Sequence, residues 1–124
     1  MSQFEIWQLP TGHPNKFMHL DWCRKPVDIT DYVQVYAGKI DKEIEDVDTF
    51  LDELFERFNI NQPDDYHAAC MSVSDLICLI GNCNKRFWFY VDGIGFKEVE
   101  INNDWILLPS RVARRYYENH VGSK

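Results

Sequence analysis

Side chains able to hold a metal ion are the first chemistry to test. Cys78 and Cys83 are separated by four residues, and His67 and Cys70 by two, so on paper the four could supply tetrahedral donors to zinc. The short paired spacing usual in structural zinc sites is missing. Cys78 also lies inside the apolar run Leu76-Ile77-Cys78-Leu79-Ile80, where cysteine behaves as a small buried hydrophobe. Nucleophilic chemistry fares no better. Ser72 and Ser74 lack a Gly-x-Ser-x-Gly elbow, and no cysteine stands in a recognisable catalytic context. The histidines, His13, His19, His67 and His120, are scattered through loops and termini. Gly93-Ile94-Gly95 has neither the third glycine nor the following helix of a dinucleotide-binding turn, and no phosphate-loop lysine motif occurs. Carboxylate pairs of the glycosidase kind arise by chance among twenty acids. The expectation is a non-enzymatic protein with no catalytic residue, no cofactor and no bound metal.

Charge is the stronger signal. Twenty acids against thirteen bases give a net charge of −7 over 124 residues. Phosphate contacts need Lys and Arg, so this balance argues against direct nucleic-acid binding. The excess is concentrated. Asp41, Glu43, Glu45, Asp46, Asp48, Asp52, Glu53, Glu56, Asp64 and Asp65 face only Lys42 and Arg57 within 41–65, a local charge of −8; the remainder of the chain carries +1. Such a segment is either a solvated surface or one shaped to meet a basic groove, since complementary charge speeds encounter and selects partners.

The elements that position these residues follow from periodicity. Residues 4–9 alternate as a strand, and Pro10, Gly12, Pro14 and Asn15 end it in a loop. The stretch 17–31 mixes aromatics with turn residues and is ambiguous. Residues 32–36 form a second strand that Gly38 is expected to close. Asp46 or Asp48 caps a helix whose Val47, Phe50, Leu51, Leu54, Phe55 and Phe58 fall at three- and four-residue spacing, and Asn59 and Pro63 end it. A further short turn of helix is expected within 62–71. Residues 74–80 and 86–91 make an antiparallel hairpin through the Gly- and Asn-bearing turn 81–85, and 96–101 alternates as another strand after the turn 92–95. Pro109 opens a C-terminal helix over 110–120. The fold class expected is α+β: a small antiparallel sheet with the acidic amphipathic helix and the C-terminal helix packed on it, in one domain spanning 1–124. The start of the chain lacks a basic and an apolar signal region, and no apolar stretch is long enough to cross a bilayer, so a cytoplasmic protein without membrane contact and with free thiols is expected.

Several short stretches occur in a telling order: Phe4-Glu5-Ile6-Trp7-Gln8-Leu9, Tyr32-Val33-Gln34-Val35-Tyr36, Leu54-Phe55-Glu56-Arg57-Phe58-Asn59 with Pro63, Ser72-Val73-Ser74-Asp75, and Tyr90-Val91-Asp92 with Gly95-Phe96. This succession resembles the YodL-like domain over about residues 4–101, leaving 102–124 as an extension. The chain differs in carrying Ala68 and Ala69 ahead of the Ser-Val-Ser-Asp stretch, where the family often has Gly-His. The resemblance implies a small accessory protein of bacterial mobile DNA, a setting that also encodes acidic antirestriction and anti-CRISPR proteins. Backbone capping is expected of Ser72, Ser74, Asp75 and Asp92, and a positive φ of Gly95.

Charge and resemblance together lead to one expectation. An accessory protein of a mobile element or phage, in a bacterial cytoplasm, binds a basic nucleic-acid-binding protein of the host, a CRISPR effector or restriction enzyme. It does so through the ten acids of 41–65, as an acidic mimic of nucleic acid. Trp7, Trp22, Trp88, Trp105, Tyr116 and Tyr117 exceed what the core needs, and Arg114, Arg115, Tyr116 and Tyr117 form a secondary contact patch. The alternative is a general interaction or homodimerisation module without a defence role.

Overall fold

Side chains alternate across a strand, so Phe4 and Ile6 point to one face of β1 (Gln3–Gln8) and Glu5 and Trp7 to the other. Both faces are buried. The computed structural model describes residues 3–23, 26–81 and 84–102, and in it β1 is a sheet-interior strand. It runs antiparallel to β3 (Val33–Lys39) on one side and to β4 (Leu76–Ile80) on the other; β5 (Arg86–Val91) and β6 (Phe96–Val99) continue the sheet in the order β3-β1-β4-β5-β6. A second, two-stranded parallel ladder joins β2 (Val27–Asp28) to β7 (Ile101–Asn102). The expected α+β class is therefore observed, with an antiparallel sheet of five strands and, among the described residues, one α-helix.

The helix α1 (Val47–Ile60) buries Phe50, Leu51, Leu54 and Phe58 against Phe4, Ile6, Ile77, Leu79 and Val91. Each such side chain contributes about 1.5–3 kcal/mol when removed from water. Phe58 is the hub of an aromatic group, its ring 5.0 Å from those of Tyr36 and Tyr66 and 5.9 Å from that of Phe4. Asp46 stands at the N-cap as expected, but its carboxylate accepts the Thr49 hydroxyl (2.6 Å) in place of a backbone amide.

The opposite face of the sheet carries Trp7, Leu76, Cys78, Ile80, Trp88 and Tyr90, and Leu20, Val27 and Ile29 cover it. This corrects the expectation that Trp7 and Trp88 are surface aromatics: their rings pack 5.8 Å apart in this second core. The ambiguous stretch before β3 is what supplies the cover, through two short 3-10 turns (Leu20–Trp22 and Ile29–Asp31) and β2.

Four further expectations change. Gly38 does not close its strand but lies inside β3 opposite Phe4, whose ring occupies the space a Cβ would need, at 2.6 Å. The strand expected over 96–101 breaks at Glu100, whose carbonyl accepts the Val27 amide (3.1 Å), so β7 leaves the main sheet to pair with β2. The short helix expected within 62–71 is absent; a turn closed by Tyr66 N–H on the Pro63 carbonyl (3.0 Å) replaces it, and side-chain bonds hold the rest of the segment. The strand expected to start at Ser74 starts at Leu76, because Ser74 has φ +88°. Asn84, just ahead of β5, has φ +59°, and Gly95 has φ +70° as expected. The expected helix over 110–120, with Trp105, Arg114, Arg115, Tyr116 and Tyr117, lies outside the described residues, as do Cys83 and His120.

Candidate functional site

All ten acids of 41–65 are exposed. Their carboxylates cannot be sheltered, because the apolar stripe of α1 takes the whole inward face and leaves Asp48, Asp52, Glu53 and Glu56 toward water. The loop ahead of the helix folds beside its first turns. Lys42, Glu43, Ile44, Glu45, Asp46, Thr49, Phe50 and Glu53 line an open cleft of about 390 Å³. Lys42 Nζ bonds Glu53 (2.5 Å) and sits 5.8 Å from the centre of the Phe50 ring, so part of the local charge is neutralised within the chain. At the far end of the segment Asp65 accepts the Tyr36 hydroxyl (3.1 Å), tying it to the edge strand. The surface is not uniformly acidic: Lys39, Lys42 and Arg57 share a neighbouring groove with Asp41, Phe4 and Phe50. The structure thus brings the loop acids and the helix acids to one region, interrupted by these three bases.

A second group of residues singled out by the sequence, Ser72, Ser74, Asp75, Asp92 and Gly95, forms the joints between the sheet and its loops. Ser74 uses every polar group it has: its amide donates to the Val91 carbonyl (2.9 Å), its Oγ accepts the Phe17 amide (3.0 Å), and its carbonyl accepts the Tyr32 hydroxyl (2.7 Å). Those three bonds offset a positive φ that costs a non-glycine residue about 1–2 kcal/mol. Asp75 is fully buried, and its Oδ2 accepts the Ser72 amide (3.0 Å) and Gln8 Nε2 (3.1 Å). Burial pushes its carboxyl up to about 6, against the lowering effect of those two donors and of Lys16. Asp92 Oδ1 accepts the Gly93 amide (2.8 Å), the Leu20 amide (3.3 Å) and His19 Nδ1 (3.2 Å). Partial burial would raise its carboxyl, but the Gly93 and Leu20 amides and His19 outweigh that and hold it below the usual range. A Cβ at Gly93 would meet the ring of His19, so a larger residue there would have to displace that exposed side chain. These positions act as the capping expected of them.

The remaining chemical candidates are dispersed. His67 and Cys70 are exposed, whereas Cys78 is enclosed in β4, and burial pushes its thiol up to about 12. Among the described residues, no three His, Cys, Asp or Glu side chains converge to hold a metal ion. No described helix is long and apolar enough to cross a membrane.

Sequence reasoning missed two features. Ile94 is 91% exposed and stands with Phe17 (62%) and Trp22 (77%) among the most exposed large apolar side chains. An apolar residue between two glycines at a turn tip has little to pack against, and that was the available signal. Gln8, on the same side of β1 as Phe4 and Ile6, is buried and donates to the Ala69 carbonyl (2.9 Å) as well as to Asp75. A polar side chain in an apolar row announces a buried partner.

In comparison with protein families, the sequence model of the YodL-like domain matches residues 3–101. Comparison with curated proteins and with solved structures finds no match.

Proposed function

The chain belongs to the YodL-like domain family, and from that premise we propose that it is a non-enzymatic accessory protein that inhibits a partner by occupying a basic, nucleic-acid-binding groove. The observation that carries this reading is the exposure of all ten acids of 41–65 on one loop-helix-loop segment. An array of fixed carboxylates on a rigid helix presents a charge pattern that a groove built for phosphates would accept, and long-range attraction raises the encounter rate. Consistent with the family resemblance, the partner is a host defence nuclease, a CRISPR effector or restriction enzyme, met in a bacterial cytoplasm.

The test is inhibition of candidate nucleases by the parent and by a variant carrying Asp48→Lys, Asp52→Lys, Glu53→Lys and Glu56→Lys. The four side chains are exposed and Glu53→Lys gives up only the exposed Lys42 pair, so circular dichroism should match the parent's and the unfolding midpoint should fall modestly, while inhibition should be lost and the parent's own binding should weaken steeply with salt. Inhibition by the reversed variant at the parent's level would refute the mimic. Exposure of Phe17, Trp22 and Ile94 favours a second reading, a protein-interaction module that uses apolar contacts. It predicts binding that is insensitive to salt and lost in Trp22→Ala.

A further inference from the structure

The segment 62–72, which carries Asp64 and Asp65, has no helix or strand to hold it; Tyr66 and Met71 pack in the core, Asp65 accepts the Tyr36 hydroxyl at the edge strand, and a buried polar cluster ties the segment to β1. Gln8 Nε2 reaches from β1 to the Ala69 carbonyl (2.9 Å), the Tyr66 hydroxyl (3.3 Å) and Asp75 Oδ2 (3.1 Å). The Tyr66 hydroxyl donates to the same Ala69 carbonyl, and the Ser72 amide donates to Asp75 Oδ2 (3.0 Å). All of these bonds except the one from Tyr66 to Ala69 include Gln8 or Asp75, both buried. The other oxygen, Asp75 Oδ1, is buried without a hydrogen-bond partner among the described residues. A proton placed there costs no existing bond and removes a buried negative charge.

We propose that Asp75 is a protonation-sensitive latch that fastens segment 62–72 to the sheet and grips it more tightly as the pH falls. The charged and titratable groups facing it are Lys16 from the loop after β1, Tyr32 from the segment before β3, and Tyr66 from the latched segment itself. Lys16 favours the ionised carboxylate. Burial pushes both tyrosines up, Tyr66 to about 12, so both stay neutral through the range in which Asp75 changes charge. Of Asp75 and these two tyrosines, only Asp75 changes charge near pH 6.

The direction follows from linkage. Asp75 binds its proton more tightly when latched, at about 6, than when opened to water, at 3.8. The added grip is fully present below the open-state value and is lost as the pH rises through 6. The opening equilibrium should be about tenfold larger at pH 7 than at pH 5. This latch is independent of the inhibitor reading, although it governs where two of the ten acids stand.

Hydrogen exchange on the full chain tests it, with rates corrected for the intrinsic pH dependence of amide chemistry. The Tyr66 and Ser72 amides should open more readily than those of α1, lose about tenfold in protection from pH 5 to pH 7, and show no such loss in Asp75→Asn. Carbon-13 NMR titration of the Asp75 carboxyl in the unaltered protein supplies a readout that needs no variant, with an expected midpoint near 6. Three results would overturn the latch: protection of these amides that does not vary with pH, their exchange only together with α1, or a carboxyl midpoint near 4.

Discussion

Glu5 and Arg86 form a nearly enclosed ion pair on the sheet face opposite α1, and its removal should show how that face is held. Arg86 Nη1 donates to Glu5 Oε1 at 2.6 Å, and Trp7 Nε1 donates to the same oxygen at 3.0 Å. The side chains are only 12% and 20% exposed, so neither charge can be fully rehydrated if the other is removed. Arg86→Met takes the cation away and leaves the Glu5 carboxylate with Trp7 as its remaining side-chain donor. Breaking a fully buried pair from one side costs about 3–5 kcal/mol, and with the residual solvent access here we expect ~2–4 kcal/mol. Glu5→Gln keeps an acceptor for Trp7 and a weaker one for Arg86, whose longer side chain can reach water, so it should cost only ~1–2 kcal/mol. The double variant contains no uncompensated charge and should be about as stable as Glu5→Gln alone, a coupling of ~2–4 kcal/mol. Urea unfolding at neutral pH reads all four proteins, and at a slope of about 1–3 kcal/mol/M the Arg86→Met midpoint falls by roughly 1–2 M. A double variant whose loss equals the sum of the single losses would show that the two charges act separately and would refute this account of the face.

Two further outcomes bear on the other face and on the turns. Phe58→Ala empties the centre of the aromatic group and should cost ~3–5 kcal/mol, whereas Phe55→Ala, at a half-buried position on the same helix, should cost less than ~2 kcal/mol; denaturant midpoints compare them, and equal losses would contradict the assignment of the core. Gly38→Ala and Gly95→Ala separate two reasons for glycine: the first forces the Phe4 ring to move and should be partly rescued by Phe4→Leu, while the second meets open space and should cost only the ~1 kcal/mol of its positive φ, with no such rescue, by thermal unfolding of the single and paired variants.

Local chemistry determined a good deal of this protein without reference to anything distant in the chain. The three- and four-residue spacing from Val47 to Phe58 admits one amphipathic helix, and the structure places α1 there with the acids outward. The unbroken apolar run at Leu76–Ile80 suits a strand covered on both faces, which β4 is. The Gly- and Asn-bearing turn before β5 fixes a hairpin, and the order of short stretches identifies the family. Concentration of charge in 41–65 is likewise a property of the chain itself.

Tertiary structure alone decided what those elements face. Trp7 and Trp88 are buried because the segment between β1 and β3, which has no strong period, wraps across the second face of the sheet. Gly38 lies within a strand because Phe4, thirty-four positions earlier, needs its empty Cβ site. Ser74 adopts a left-handed backbone because Phe17, Tyr32 and Val91 reach it from three separate parts of the chain. Asp75 shows the same principle in its acidity: the type of side chain sets the ordinary value, but burial raises it and the Ser72 and Gln8 donors offset only part of that. Periodicity is written in neighbours a few residues apart, whereas burial and hydrogen-bond partnership are created only when distant segments meet.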